Sequence, residues 1–204
     1  TNEVSIGQWM EGRYNMGRNA LVKEFVGRKD HKDYIKRGTA VENLFVDEAI
    51  RRGYRTKVAS AQQNMYDHID LILTKEGETF TVDIKARRTG TDKSKGFDDL
   101  WTVVEFKNTM GDAGWIYTKS DYIVFEREKD FVFANSNEVR EMCEELVDLT
   151  DRVFSFKDAN YKVWGRSYQG KRDLISRIEM CKITDLKSTF IWKKSIDFDN
   201  TSMI

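Results

Sequence analysis

The sequence predicts an α/β (α+β) domain, a central sheet flanked by helices, on three observations. Apolar residues recur at helical spacing over the first quarter of the chain, the period shortens to two between residues 54 and 126, and a helical segment and a further strand follow. The chain has 204 residues, contains no proline and shows no internal repeat or low-complexity linker, so it reads as one domain with a real core.

Residues 6–26 carry Trp9, Met10, Tyr14, Met16, Leu21 and Phe25 at helical spacing and predict one or two helices. Thr39 opens a second helix over residues 40–52, with Val41, Leu44, Phe45 and Ala49 as its apolar stripe and Gly53 as a left-handed terminator. Strands are expected over residues 54–59, 68–74, 79–86, 101–107 and 121–126, with a weaker candidate at 131–134. An amphipathic helix over 137–149 comes next, then a helix over 171–181 and a short strand over 189–193.

Composition excludes several function classes. Cys143 and Cys181 are far apart, outside any CxxC or Cys/His cluster, which argues against a zinc site or a secreted disulfide scaffold. No apolar run approaches the ~20 residues of a membrane span, and a reducing, cytoplasmic setting is expected. Two histidines, His31 and His68, leave acid–base and metal chemistry to carboxylates and lysines. Net charge is zero, but basic residues gather at 13–37, 85–95 and 162–172 while 126–151 is acidic, which permits a polyanionic partner without establishing one.

The chemistry concentrates in one hairpin. With Glu76 and Gly77 as the turn, Leu73 faces Phe80, Leu71 faces Val82 and Ile69 faces Ile84, one apolar side. The other side sets Ile72 opposite Thr81, Asp70 opposite Asp83 and His68 opposite Lys85. Two acids facing each other destabilise by roughly 0.2–1 kcal/mol on an exposed sheet and by more where water is excluded. A divalent cation removes the conflict, since Mg²⁺ takes hard oxygen donors from one or two carboxylates and keeps room for water and phosphate. Lys85 shares the face of Asp83, where an amine orients an attacking water, and the Ile84 backbone carbonyl between them is a further candidate donor. A solvated, salt-bridged sheet face is the bland alternative.

Acid-x-Lys also occurs at Asp30/Lys32, Glu105/Lys107 and Asp185/Lys187, but only Asp83-Ile84-Lys85 has a facing acid on a hairpin partner. Glu105/Lys107 is expected as a neighbour of the site. Arg87, Arg88, Lys93 and Lys95 follow the strand, interrupted by Gly90 and Gly96, and form a candidate phosphate-binding loop. Trp115 reads as a core or loop anchor.

At these residues the sequence resembles the PD-(D/E)xK nuclease superfamily, the restriction-endonuclease-like fold of Holliday-junction resolvases and many phage and repair nucleases. The resemblance covers residues 39–126, the size of the family's αβββαβ core, leaving 1–38 as a helical and 127–204 as a mixed extension of one nuclease domain. It implies a Mg²⁺-dependent endonuclease for DNA, Mn²⁺ substituting, with Asp70 and Asp83 as metal ligands and Lys85 as the catalytic amine. It also implies a glutamate on the preceding helix, for which Glu42 is the best match and Asp47 and Glu48 are fallbacks. Thr39-Ala-Val-Glu42 reads equally as a capping box. The proline of the family's name is replaced by Ile69. A homodimer follows by analogy, because a duplex has two strands to cut. RNA cleavage by the same residues, and a nuclease-like module that binds nucleic acid or protein without cutting, are the rival expectations.

Overall fold

The computed structural model describes residues 29–88, 97–165, 167–168 and 171–195. The helices expected over 6–26 lie outside them, as do Lys93 and Lys95.

Helix α1 (Lys29–Arg51) buries Val41, Phe45, Val46 and Ala49 and stops before Gly53 at φ +82°. It begins well before Thr39, which corrects both the expected start and the capping box at Thr39–Glu42. A capping residue needs non-helical backbone angles, and nothing between 29 and 39 breaks the helix: proline is absent and Gly38 disfavours it by only about 1 kcal/mol.

Strand β1 (Arg55–Val58), helix α2 (Ala61–Tyr66), β2 (Leu71–Lys75), β3 (Glu78–Lys85) and β4 (Trp101–Lys107) follow in order. After a 3-10 turn (Trp115–Tyr117) come β5 (Tyr122–Glu126), β6 (Asp130–Asn135), α3 (Ser136–Leu146), β7 (Asp148–Arg152) and a second 3-10 turn (Phe156–Asp158). The chain continues with β8 (Lys162–Val163), β9 (Ser167–Tyr168), β10 (Lys171–Arg172), β11 (Leu174–Glu179), α4 (Met180–Thr184) and β12 (Phe190–Lys193). The helix expected over 171–181 is therefore corrected to two strands and a short helix. Leu174, Ile175 and Ile178 have helical spacing, but Ser176, Arg177 and Ile178 pair antiparallel with Val104, Val103 and Thr102 of β4, and that partnership decides the conformation.

Six strands form the central sheet in the order β1-β2-β3-β5-β6-β12, mixed because β3 and β5 run parallel and the other neighbours antiparallel. Its strands are sandwiched, so alternation assigns each residue to one of two cores. Leu71, Leu73, Val82, Ile84, Val124, Phe131 and Phe133 meet the stripe of α1. Phe45 sets its ring edge-on to Phe131 at 5.2 Å, and truncating such a buried ring removes about 3–5 kcal/mol. Ile123, Phe125, Val132 and Ala134 face the opposite way, onto Val139 and Cys143 of α3 and the β4–β11 ribbon. Because Val82 and Ile84 point to α1, Asp83 and Lys85 between and beyond them share the side of Ile123 and Phe125, their neighbours across the parallel ladder. The result is an α+β fold whose sheet is flanked by helices and whose general plan is compatible with a restriction-endonuclease-like architecture. Among the described residues no helix is long and apolar enough to cross a membrane.

Candidate active site

The β2–β3 hairpin turns at Glu76 (φ +53°) and Gly77 (φ +86°), the left-handed pair that a two-residue turn demands and that glycine adopts without strain. It sets Leu71 opposite Val82, Ile72 opposite Thr81 and Leu73 opposite Phe80, the register expected from the sequence. Pairing stops at Leu71. His68 has φ +51°, so the strand expected from residue 68 is shortened and His68 does not stand across the ladder from Lys85.

Asp70 steps off the ladder at this end, and its side chain replaces what the backbone gives up. The Asp70 N–H donates to the Val82 carbonyl (2.8 Å), Ala59 N–H donates to the Asp70 carbonyl (3.0 Å), and the Ile84 N–H donates to Oδ2 of the Asp70 carboxyl (2.7 Å). Asn64 Nδ2 donates to Oδ1 (2.7 Å) and to the Ile69 carbonyl (3.3 Å). Asn64 was not foreseen from the sequence. Its signal is Ser60-Ala-Gln-Gln63, a capping box in which Ser60 Oγ accepts from Gln63 N–H (3.2 Å) and Gln63 Oε1 accepts from Ser60 N–H (2.9 Å), which opens α2 just ahead of the acid.

Asp83 is 2 % exposed. Its Oδ1 meets Lys85 Nζ at 2.6 Å. Its Oδ2 is buried without a hydrogen-bond partner, an orphan shared among the described side chains only with Arg37 Nε. Burial pushes the Asp70 carboxyl up to about 7, the Asp83 charge adds to the rise, and Lys85 and the Ile84 N–H oppose it. Asp83 is raised as well, by burial first, with Lys85 again opposing. With both acids ionised, Asp83 Oδ2 has no donor; one proton on Asp70 supplies a hydrogen bond between the two carboxyls.

Lys85 Nζ sits 4.9 Å over the Trp115 ring, which is buried edge-on against Phe125 at 6.1 Å, so Trp115 is the core anchor it was expected to be. Gly114 positions that ring: a Cβ there would come within 2.0 Å of the Glu105 carbonyl oxygen, so only glycine lets the turn lie against β4. His68, half-buried, hydrogen-bonds the backbone of Ala113, and burial followed by the Lys85 charge lowers its pKa.

Glu42, half-buried on α1, is near enough that its charge adds to the rise of Asp83, as the last of five causes. Asp47 is exposed. Glu48 is fully buried and bound by Arg51 (2.8 Å), Arg52 and the Ser195 N–H (2.7 Å), which engages it away from the pair. Arg87 donates from Nε to Asp99 Oδ1 (2.6 Å) and lies over Phe97 at 5.0 Å, while Arg88 is exposed. Two further buried acids are fully matched: Glu126 meets Arg37 (2.7 Å) and Lys194 (3.0 Å), and Asp130 meets Arg127 (2.7 Å) and Lys193 (2.9 Å).

A divalent cation would find two adjoining carboxylates here, one with an unpartnered buried oxygen, and such hard donors are of the kind Mg²⁺ takes, since it is commonly held by one or two carboxylates and retains water. Among the described residues no three His, Cys, Asp or Glu side chains converge on a common centre. Comparison of the chain with family models, with curated proteins and with solved structures finds no match.

Proposed function

We propose that the chain is a Mg²⁺-dependent nuclease that hydrolyses DNA phosphodiester bonds internally, with Mn²⁺ able to substitute, and that Asp70, Asp83 and Lys85 carry the reaction. One observation supports this above the rest: Asp83 Oδ2 is buried without a donor beside a second acid, whereas Glu48, Glu126 and Asp130 each have two cationic partners. A sequence aiming at stability alone would complete this cluster as it completes the others.

Bound between the two acids, with the Ile84 carbonyl as a further donor, Mg²⁺ would supply positive charge to the phosphoryl oxygen and acidify a water. The chain's own groups do the rest. Asn64 and the Ile84 N–H hold the Asp70 carboxyl in a single orientation. Lys85 donates once to Asp83 and, with three N–H bonds, has donors left for the attacking water or a non-bridging phosphate oxygen. The Trp115 ring gives the ammonium a second contact. Glu42 assists from α1 through its charge at Asp83.

Supercoiled and linear DNA incubated with Mg²⁺ test this, comparing the wild type with Asp83→Ala and Lys85→Ala. Cleavage that survives unchanged in both variants refutes the assignment. The acid-acid-lysine set argues against a non-cutting role, but the lack of a third converging donor among the described residues favours one second reading, a nuclease-like module that binds nucleic acid without cutting. It predicts salt-sensitive binding that needs neither Asp83 nor metal.

A further inference from the structure

A cleft of about 550 Å³ opens at the far end of β4, walled by Lys107, Gly111, Asp112, Arg152, Arg172 and Leu174. It gathers cations from three separate elements: the last residue of β4, the last residue of β7 and the last residue of β10. All three side chains are exposed, and no ion pair engages any of them among the described residues. Against them stands one carboxylate, Asp112. Like charges brought together by three strands disfavour the fold unless an anion joins them.

The loop that lines this cleft runs on into residues that touch the acid site. Lys107 bridges to Ala113, Asn108 N–H donates to the Asp112 carbonyl (3.0 Å), and Asn108 Oδ1 accepts from the Met110 and Asp112 N–H groups (2.9 Å each), which fixes residues 107–113 as one tight loop. Asp112 lines the cleft; the next residue, Ala113, bonds His68; and Trp115 two places on holds the Lys85 ammonium. A chain with a charge at every residue could lie along this loop with one unit at Lys85 and others at the cleft.

We propose that Lys107, Arg152 and Arg172 form a phosphate-binding subsite for the backbone of a nucleic acid whose scissile phosphate lies at Asp70, Asp83 and Lys85. The subsite deepens the nuclease reading and rests on it for the placement of the scissile bond, but its phosphate contacts are independent of metal. It explains how a chain of zero net charge would hold a polyanion: the cations are not in excess, but three of them are brought to one cleft.

The test is fluorescence anisotropy of labelled duplex DNA, single-stranded DNA and single-stranded RNA in EDTA, across a salt series. The wild type is compared with Lys107→Gln/Arg152→Gln/Arg172→Gln and with a charge-matched control, Arg55→Gln/Lys57→Gln/Lys182→Gln, whose side chains are also exposed. Neutralising three phosphate contacts should make the slope of log Kobs against log[salt] shallower by about 2.7 for duplex and about 2.1 for single strands, while the control leaves it near the wild-type value. The single variants Lys107→Gln and Arg152→Gln should each shift it by about one-third as much, and keep the test valid if the triple variant does not fold. Equal slopes in wild type and cleft variants, equal loss in cleft variant and control, or no binding by the wild type would each overturn the subsite. Mg²⁺-dependent cleavage is scored alongside. Loss of binding in the cleft variants with no cleavage by the wild type upholds the subsite and sinks the nuclease reading, and cleavage indifferent to the cleft variants does the reverse. Which of the three ligands the wild type binds most tightly at one salt concentration, with that preference lost in the cleft variants, identifies DNA or RNA as the source of the backbone.

Discussion

Glu48 and Asp83 are both buried acids, at 0 % and 2 % exposure, yet their surroundings are opposite. Glu48 receives Arg51, Arg52 and both the N–H and the hydroxyl of Ser195, and these bonds outweigh burial to hold its pKa below the usual carboxylate range. Asp83 receives one lysine, lies against a second acid, and keeps one oxygen without a donor, so its pKa is raised. The chain can satisfy a buried carboxylate and does so at α1; at the hairpin it leaves one incomplete. That contrast separates an acid that serves the fold from one that, on the proposed nuclease reading, serves chemistry.

The same acid-to-amide change at Asp83 and at Glu48 should have opposite consequences. In Asp83→Asn we expect DNA cleavage to fall by about 10²–10³-fold or more, the size of losing one electrostatic stabiliser, while unfolding in urea shows a gain of about 1 kcal/mol because the amide can donate to Asp70. In Glu48→Gln the signs reverse. Two arginines lose their charged partner, stability falls by about 3 kcal/mol, and cleavage per folded molecule is unchanged. If Asp83→Asn destabilises as Glu48→Gln does, Asp83 is a structural acid and the distinction collapses.

The hairpin was legible because period-two alternation and an acidic-glycine turn determine register from Leu71 to Lys75; the expected ladder pairing of Asp70 with Asp83 does not form, and Asp70 reaches β3 instead through its carboxyl on the Ile84 N–H. The apolar pairs Leu71/Val82 and Leu73/Phe80 follow from the same pattern. Helix limits were less legible. Thr39-Ala-Val-Glu42 and Ser60-Ala-Gln-Gln63 both fit a capping box, and only the second is one, because a box works where the backbone enters a helix and nothing local says that α1 has already begun. The β11 strand was missed because Leu174, Ile175 and Ile178 suit either period, and its partner β4 lies far away in sequence. The Glu48 cluster was out of reach for the same reason: Ser195 joins it from 147 residues away.

The two acids should also differ, by a smaller amount, in how stability depends on pH. Glu48, lowered in the folded state, contributes stability that is fully present above its ordinary value near 4.5 and is lost as pH falls through the lower folded value. Asp70, raised to about 7, works in the other direction. Between its ordinary 3.8 and about 7 the folded state keeps a proton that the unfolded chain has released, so stability is favoured at the acid end and declines as pH rises toward 7. In EDTA, Tm should therefore drop between pH 5 and 8 by roughly 2–4 °C for each kcal/mol of this term. Asp83→Asn should flatten that drop, since it removes the second-largest cause of the rise, and Glu48→Gln should leave it intact while flattening the fall below pH 4.5.

The smallest expected effect belongs to Asn64, which touches the acid pair without belonging to it. It donates to Asp70 Oδ1, the oxygen that the Ile84 N–H does not hold, so Asn64→Ala frees the carboxyl to rotate and leaves its charge less stabilised. A residue that only orients a ligand carboxylate typically changes metal affinity or activity about 10–100-fold, less than the ligand itself. Mn²⁺ titration followed by electron paramagnetic resonance should show weaker binding in Asn64→Ala than in the wild type, with Asn64→Gln recovering part of it. Because Asn64 is exposed and its helix is held by Ser60 and Gln63 rather than by burial, urea unfolding should move by less than about 1 kcal/mol. A large loss of stability with unaltered Mn²⁺ binding would make Asn64 a brace for the β2 end and remove it from the site.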